Sequence, residues 1–182
     1  MDLPEFSQIA YRGSTRQPAD RLTNLQHRLL HGLLHSEFDS MYRVTREIDF
    51  CYGHRLLNYD GKCKHLHGHN GRAVISIEGE QLDHRGMVLD FADIKKAVST
   101  WIDDNLDHRM ILNESDPVVP ILQEMNEPLY LIDENPTAEN IAKLIYQENH
   151  SAGVPIVEVR LWETPRCFAT YVPTTGSSGE KK

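Results

Sequence analysis

The sequence predicts an α+β domain, a four-stranded antiparallel sheet with two main helices on one face, in the order β-β-α-α-β-β. Three observations lead there. Residues 42–53 and 70–78 alternate apolar and polar side chains with the period of two expected of half-buried strands. Residues 91–105 and 137–149 instead repeat their apolar positions at helical spacing. A last alternating pair, 156–163 and 168–172, faces itself across Thr164-Pro165-Arg166, a turn signal. Strands, then helices, then strands form the pattern of a sheet with its helices segregated to one side.

Each element has its own justification. In the first strand Ile48, Phe50, Tyr52 and His54 share a face; in the second His67, His69, Gly71, Ala73, Ile75 and Ile77 do. The connection, residues 55–66, is long for a hairpin, and ordered loops of that length are often functional. Asp83-His84-Arg85-Gly86 marks a turn, after which Met87-Val88-Leu89 leads into the first helix, buried through Ile94, Val98, Trp101 and Ile102. Leu106-Asp107-His108-Arg109 is its exit. A loop and short helical piece at 117–125 lead to 129–132, a further strand candidate. Thr137 is a natural N-cap for the second helix, which faces Ile141, Leu144 and Ile145 inward. In the third strand Val157, Val159 and Leu161 share the parity of Glu163.

Length and charge bound the function. A chain of 182 residues with 40% hydrophobic content supports one sizeable core. We divide it into an N-terminal extension, 1–37, with an amphipathic helix at 19–35; one catalytic domain, 38–173; and a loose tail, 174–182. His27, His31 and His35 on that helix suit a solvated or packing face better than a metal site. A net charge of −8 and a pI near 5.6 argue against nucleic acid as a partner. Between Arg55 and Arg72 the balance reverses, through Lys62 and Lys64, which suits a small anionic substrate. Three cysteines imply no disulfide framework. With neither a secretory signal nor an apolar run of about 18 residues, a cytoplasmic protein without membrane association is expected.

The chemistry is concentrated at 54–69. If the first two strands pair antiparallel, His54 meets His67 and His69 at the mouth of the hairpin, and three imidazoles with an open fourth position is the ligand set of a catalytic zinc. His65 has the right parity to compete. Cys63, between Lys62 and Lys64, would have its thiolate favoured by those charges and could exchange a proton; as a fourth ligand it would instead close a structural site. Asp107-His108 could orient one another or form a relay with Cys63, although the dipeptide also suits a surface loop. Glu163 ends an apolar strand face with a carboxylate, which paired N–H donors of a guanidine-like heterocycle would satisfy, as would an arginine or solvent at the strand end.

These residues, in this order, resemble the 6-pyruvoyl-tetrahydropterin and 6-carboxy-tetrahydropterin synthase family. The matching segments are 50–54, 63–70, 87–95, 106–108, 137–142 and 161–165. The resemblance implies a tunnelling fold whose trimers stack into homohexamers with active sites at subunit interfaces. It implies Zn2+ on His54, His67 and His69, Cys63 as acid or base, and an Asp107–His108 relay supplied by a neighbouring subunit. Glu163 would anchor the pterin ring, with Thr137 and Glu139 lining its pocket. The substrate implied is 7,8-dihydroneopterin triphosphate. The compact Cys63-to-His67 spacing resembles the carboxy-forming enzymes of queuosine biosynthesis more than the pyruvoyl-forming ones. Tyr52-Gly53 stands where the family often has a small pair, and Gly71 where it often has an aromatic. A zinc-binding homologue without turnover and a zinc hydrolase are the rival readings, the latter wanting a carboxylate base at the metal.

Overall fold

A computed structural model of the chain describes residues 41–174. The helix expected at 19–35, with its three histidines, and the tail beyond Thr174 lie outside the described residues. Six strands, β1 (Tyr42–His54), β2 (His67–Gly79), β3 (Arg109–Asn113), β4 (Leu129–Ile132), β5 (Ile156–Thr164) and β6 (Cys167–Tyr171), form one sheet in the order β4-β3-β1-β2-β5-β6. β1 and β2 pair antiparallel over their full length, from Tyr42 opposite Gly79 to His54 opposite His67.

The sheet therefore has six strands rather than the expected four, and it is mixed rather than wholly antiparallel. β3 runs parallel to β1, and β4 parallel to β3. A parallel neighbour needs a crossover. The helical run α1 supplies it, carrying the chain from the end of β2 back to the start of β3. β4 is the strand candidate at 129–132, whereas β3 is too short to display an alternation and begins unannounced at the helix exit read at 106–109.

α1 is continuous from Phe91 to Asn105 in three abutting pieces, Phe91–Ile94, a π-helical Lys95–Ser99 and Thr100–Asn105. Asp90 caps it by accepting from the Ala92 amide (2.8 Å). Ile94, Val98 and Ile102 are fully buried, and Trp101 is half-buried. α2 (Val119–Glu124) is the short helical piece expected near 117–125. α3 (Ala138–Ser151) starts where Thr137 accepts from the Asn140 amide (3.3 Å) and buries Ile141, Ala142 and Ile145. Both main helices join one core with Ile48, Phe50, Tyr52, Ala73, Ile75, Ile77, Val159 and Leu161. Here the expected strand face needs one correction: Val157 is only half-buried and Ile156 is buried in its place, because the β2–β5 register shifts between Ser76 and Ile77.

Among the described residues no helix is long and apolar enough to cross a membrane.

Candidate functional site

The hairpin mouth brings three imidazoles together. His54 closes β1 and is buried at 3% exposure; opposite it His67 opens β2, with His69 two residues on and both half-buried. Each ring offers a nitrogen within 4.8 Å of the other two. Their centroids lie 4.4 to 5.1 Å apart, with planes inclined by 51° to 82°. His54 Nδ1–H donates to the Pro136 carbonyl (2.7 Å) and His67 Nδ1–H to the His65 carbonyl (2.8 Å). A carbonyl accepts only, so both Nδ1 atoms carry a proton, and in that neutral tautomer Nε2 is the bare, ligating nitrogen. Those two Nε2 atoms face each other at 3.0 Å. Opposed lone pairs at that distance call for a cation between them, so the donor set fits a borderline-soft metal ion. Burial also pushes the His54 pKa down, against the Pro136 hydrogen bond and Glu163, which hold it up. The ring therefore stays in its ligating, neutral form.

The loop and helix behind His54 are clipped to one another. Asn135 accepts from the Leu57 amide (2.7 Å) and donates to the Leu57 carbonyl (2.9 Å), while Asn140 donates to the Asn135 carbonyl (2.9 Å). Arg55, the residue after His54, makes a two-pronged pair with the fully buried carboxylate of Asp116. That guanidinium holds the Asp116 pKa below the usual carboxylate range, against the opposing effect of burial. Sequence reasoning missed both devices. Asn135 reads only as part of a helix start, and an amide that pairs with a backbone far along the chain leaves no local pattern.

The remaining expected residues divide into two groups. Glu163 sits beside the histidines: its Oε1 is 3.9 Å from His54 Nε2 and accepts from the Tyr52 hydroxyl (3.2 Å). The Tyr52 phenol is held protonated, first by burial and then by the Glu163 charge. Thr137 adjoins Pro136, the carbonyl partner of His54, and Glu139 is exposed in the first turn of α3. His65 contributes its carbonyl and leaves its side chain exposed. Cys63 lies half-buried on a single 3-10 turn, Lys62–Lys64, and its sulfur is outside the cluster formed by the three imidazoles.

Asp107 and His108 gather elsewhere. Their ligand atoms and Cys51 Sγ lie within 4.8 Å of one another. Asp107 Oδ1 accepts from the Cys51 amide (2.7 Å), the His108 amide donates to the Cys51 carbonyl (2.7 Å), and the Cys51 thiol donates to Asn70 Oδ1 (3.2 Å). His108 takes a left-handed φ of 54° at this junction. The structure thus joins the dipeptide to Cys51, on the opposite face of β1 from Tyr52 and His54. Cys63 has no place in that cluster.

The family model described as 6-pyruvoyl tetrahydropterin synthase matches residues 43–174. The chain belongs to the 6-pyruvoyl tetrahydropterin synthase family. Family relatives include 6-carboxy-5,6,7,8-tetrahydropterin synthase of Rickettsia bellii, 37% identical over 135 residues that cover 70% of this chain and 98% of that one. The protein of the same name from Haemophilus influenzae is 33% identical over 139 residues, covering 72% and 99%. Among solved family structures, the 6-pyruvoyl tetrahydropterin synthase of Caenorhabditis elegans superposes with a TM-score of 0.58 at 27% identity, covering 74% of this chain and 97% of its own. An uncharacterized protein from Wolinella succinogenes superposes with a TM-score of 0.64 at 28% identity, covering 74% and 99%. In both sequence and fold, the family match falls on the domain that carries the histidine cluster.

Proposed function

We propose that the chain is a zinc-dependent 6-carboxy-5,6,7,8-tetrahydropterin synthase. It converts 7,8-dihydroneopterin triphosphate and water to 6-carboxy-tetrahydropterin, acetaldehyde and triphosphate, a step towards queuosine and related deazapurines. One observation carries the reading: two bare Nε2 atoms 3.0 Å apart, beside a third imidazole and the Glu163 carboxylate, in a chain whose relatives bear that enzyme's name.

His54, His67 and His69 would hold the zinc, which when bound supplies Lewis-acid polarisation of substrate oxygens. Glu163 accepts paired N–H donors from the pterin edge, with Thr137 and Glu139 at the rim. Cys63 exchanges protons with the substrate side chain, and Asp107 with His108 completes the relay. In this reading the relay comes from a neighbouring subunit of a homohexamer, a dimer of trimers; that Asp107–His108 clusters with Cys51 rather than Cys63 within one chain supports it. The cytoplasm suits the three unpaired cysteines.

The test is product analysis. Zinc-loaded protein incubated with 7,8-dihydroneopterin triphosphate should yield the carboxylated pterin by mass spectrometry, and stripping the metal with a chelator should stop it. A pyruvoyl product would move the chain to the other branch of the family, and no product from the loaded protein would refute the assignment.

A further inference from the structure

Tyr52 is at the site but outside the ligand set, and four contacts hold it there. Its ring stacks on Phe50 (5.3 Å between centroids, planes 23° apart) and lies against His54 (5.3 Å) and His69 (5.8 Å). Only 3% of its surface reaches solvent. Its hydroxyl donates to Glu163 Oε1 at 3.2 Å. The ring has this position because β2 gives way: a Cβ on Gly71 would come within 2.8 Å of Tyr52 Cε1 and 3.4 Å of Phe50 Cε1. Position 71 must be bare for Tyr52 to lie where it does.

We propose that Tyr52 is a positioning residue for Glu163, setting the affinity of the site for a heterocycle that presents paired N–H donors, such as the 2-amino-4-oxo edge of a pterin. This rests on the function proposed above. A phenol has one O–H to give, and a carboxylate has about four lone-pair directions. The Tyr52 bond uses one of them and fixes the carboxylate plane, leaving Oε2 and the outer side of Oε1 for the ligand. Glu163 is one-fifth exposed, so without that bond it is free to turn towards water. The ordering would then fall on the ligand, at a cost in affinity.

The test compares the wild type, Tyr52→Phe and the double variant Tyr52→Ala/Gly71→Phe, the last refilling the ring's volume from β2. Bound zinc, affinity for the unreactive pterin neopterin by fluorescence quenching, and KM against kcat are measured on each. Tyr52→Phe should keep its zinc and hold kcat within about threefold, while the neopterin Kd and the KM rise roughly tenfold, the scale of one lost hydrogen bond to a charged group. The double variant should show the same weakening. Unchanged neopterin affinity in Tyr52→Phe overturns the inference, as does loss of zinc in that variant or full affinity in the double variant. If the wild type binds no pterin, the proposed function fails and this inference falls with it. A wild type that binds, beside a Tyr52→Phe that binds equally, sinks the inference alone.

Discussion

Cys63 separates two chemistries that the same three histidines could support. Its sulfur lies outside the imidazole cluster, so Cys63→Ala should retain a full equivalent of zinc by elemental analysis while turnover drops at least about a hundredfold; a variant that loses its metal would make the residue a ligand. Arg55 makes a second residue-scale test. Arg55→Met leaves the buried Asp116 carboxylate unpaired, and the melting transition at pH 7 should reveal a loss of about 3 kcal/mol. The sign with pH follows from the depressed folded pKa of Asp116. Its pairing stabilises the protein above the unfolded value near about 4 and is lost as pH falls through the folded value. The melting difference between variant and wild type should therefore narrow as pH falls from about 4 through the folded value. His54, His67 and His69 were legible because strand parity is strictly local. The amide of Asn135 and the pairing of Arg55 with Asp116 were not, since each joins segments distant in sequence.

At the level of elements, the second helix does two jobs through its first turn. Thr137 caps it, and Pro136 just before supplies the carbonyl that holds the His54 tautomer. Thr137→Ala should cost about 1 kcal/mol in thermal stability; a simultaneous rise in KM would place the hydroxyl in the pterin pocket, and an unchanged KM would leave it a cap alone. Long elements announced themselves: β1, β2, the run from Phe91 to Asn105 and the helix after Thr137 all begin within a few residues of where alternation or capping put them. β4 stands at the residues read as a further strand candidate, 129–132, whereas β3 did not announce itself, because five residues packed between other strands carry no period of their own. The parity of β5 failed at Val157, where a bulge reassigns the inward position to Ile156.

For the whole molecule, the proposed supply of Asp107 and His108 to Cys63 from a neighbouring subunit can be tested through activity. Mixing inactive Cys63→Ala and His108→Ala chains under subunit exchange should restore part of the wild-type rate, since some interfaces would then pair an intact cysteine with an intact relay. No recovery, despite exchange seen by native mass spectrometry, would put the relay and the thiol in the same subunit. β1 and β2 are the two central strands of six, and at the site β1 is paired on both sides, Tyr52 and His54 lying between β2 and β3. Under the proposed zinc reading, His54 would be anchored in a portion of the molecule that opens late. Amide hydrogens around Tyr52 should exchange with deuterium as slowly after demetallation as before, so an emptied protein would stand ready to be refilled without refolding.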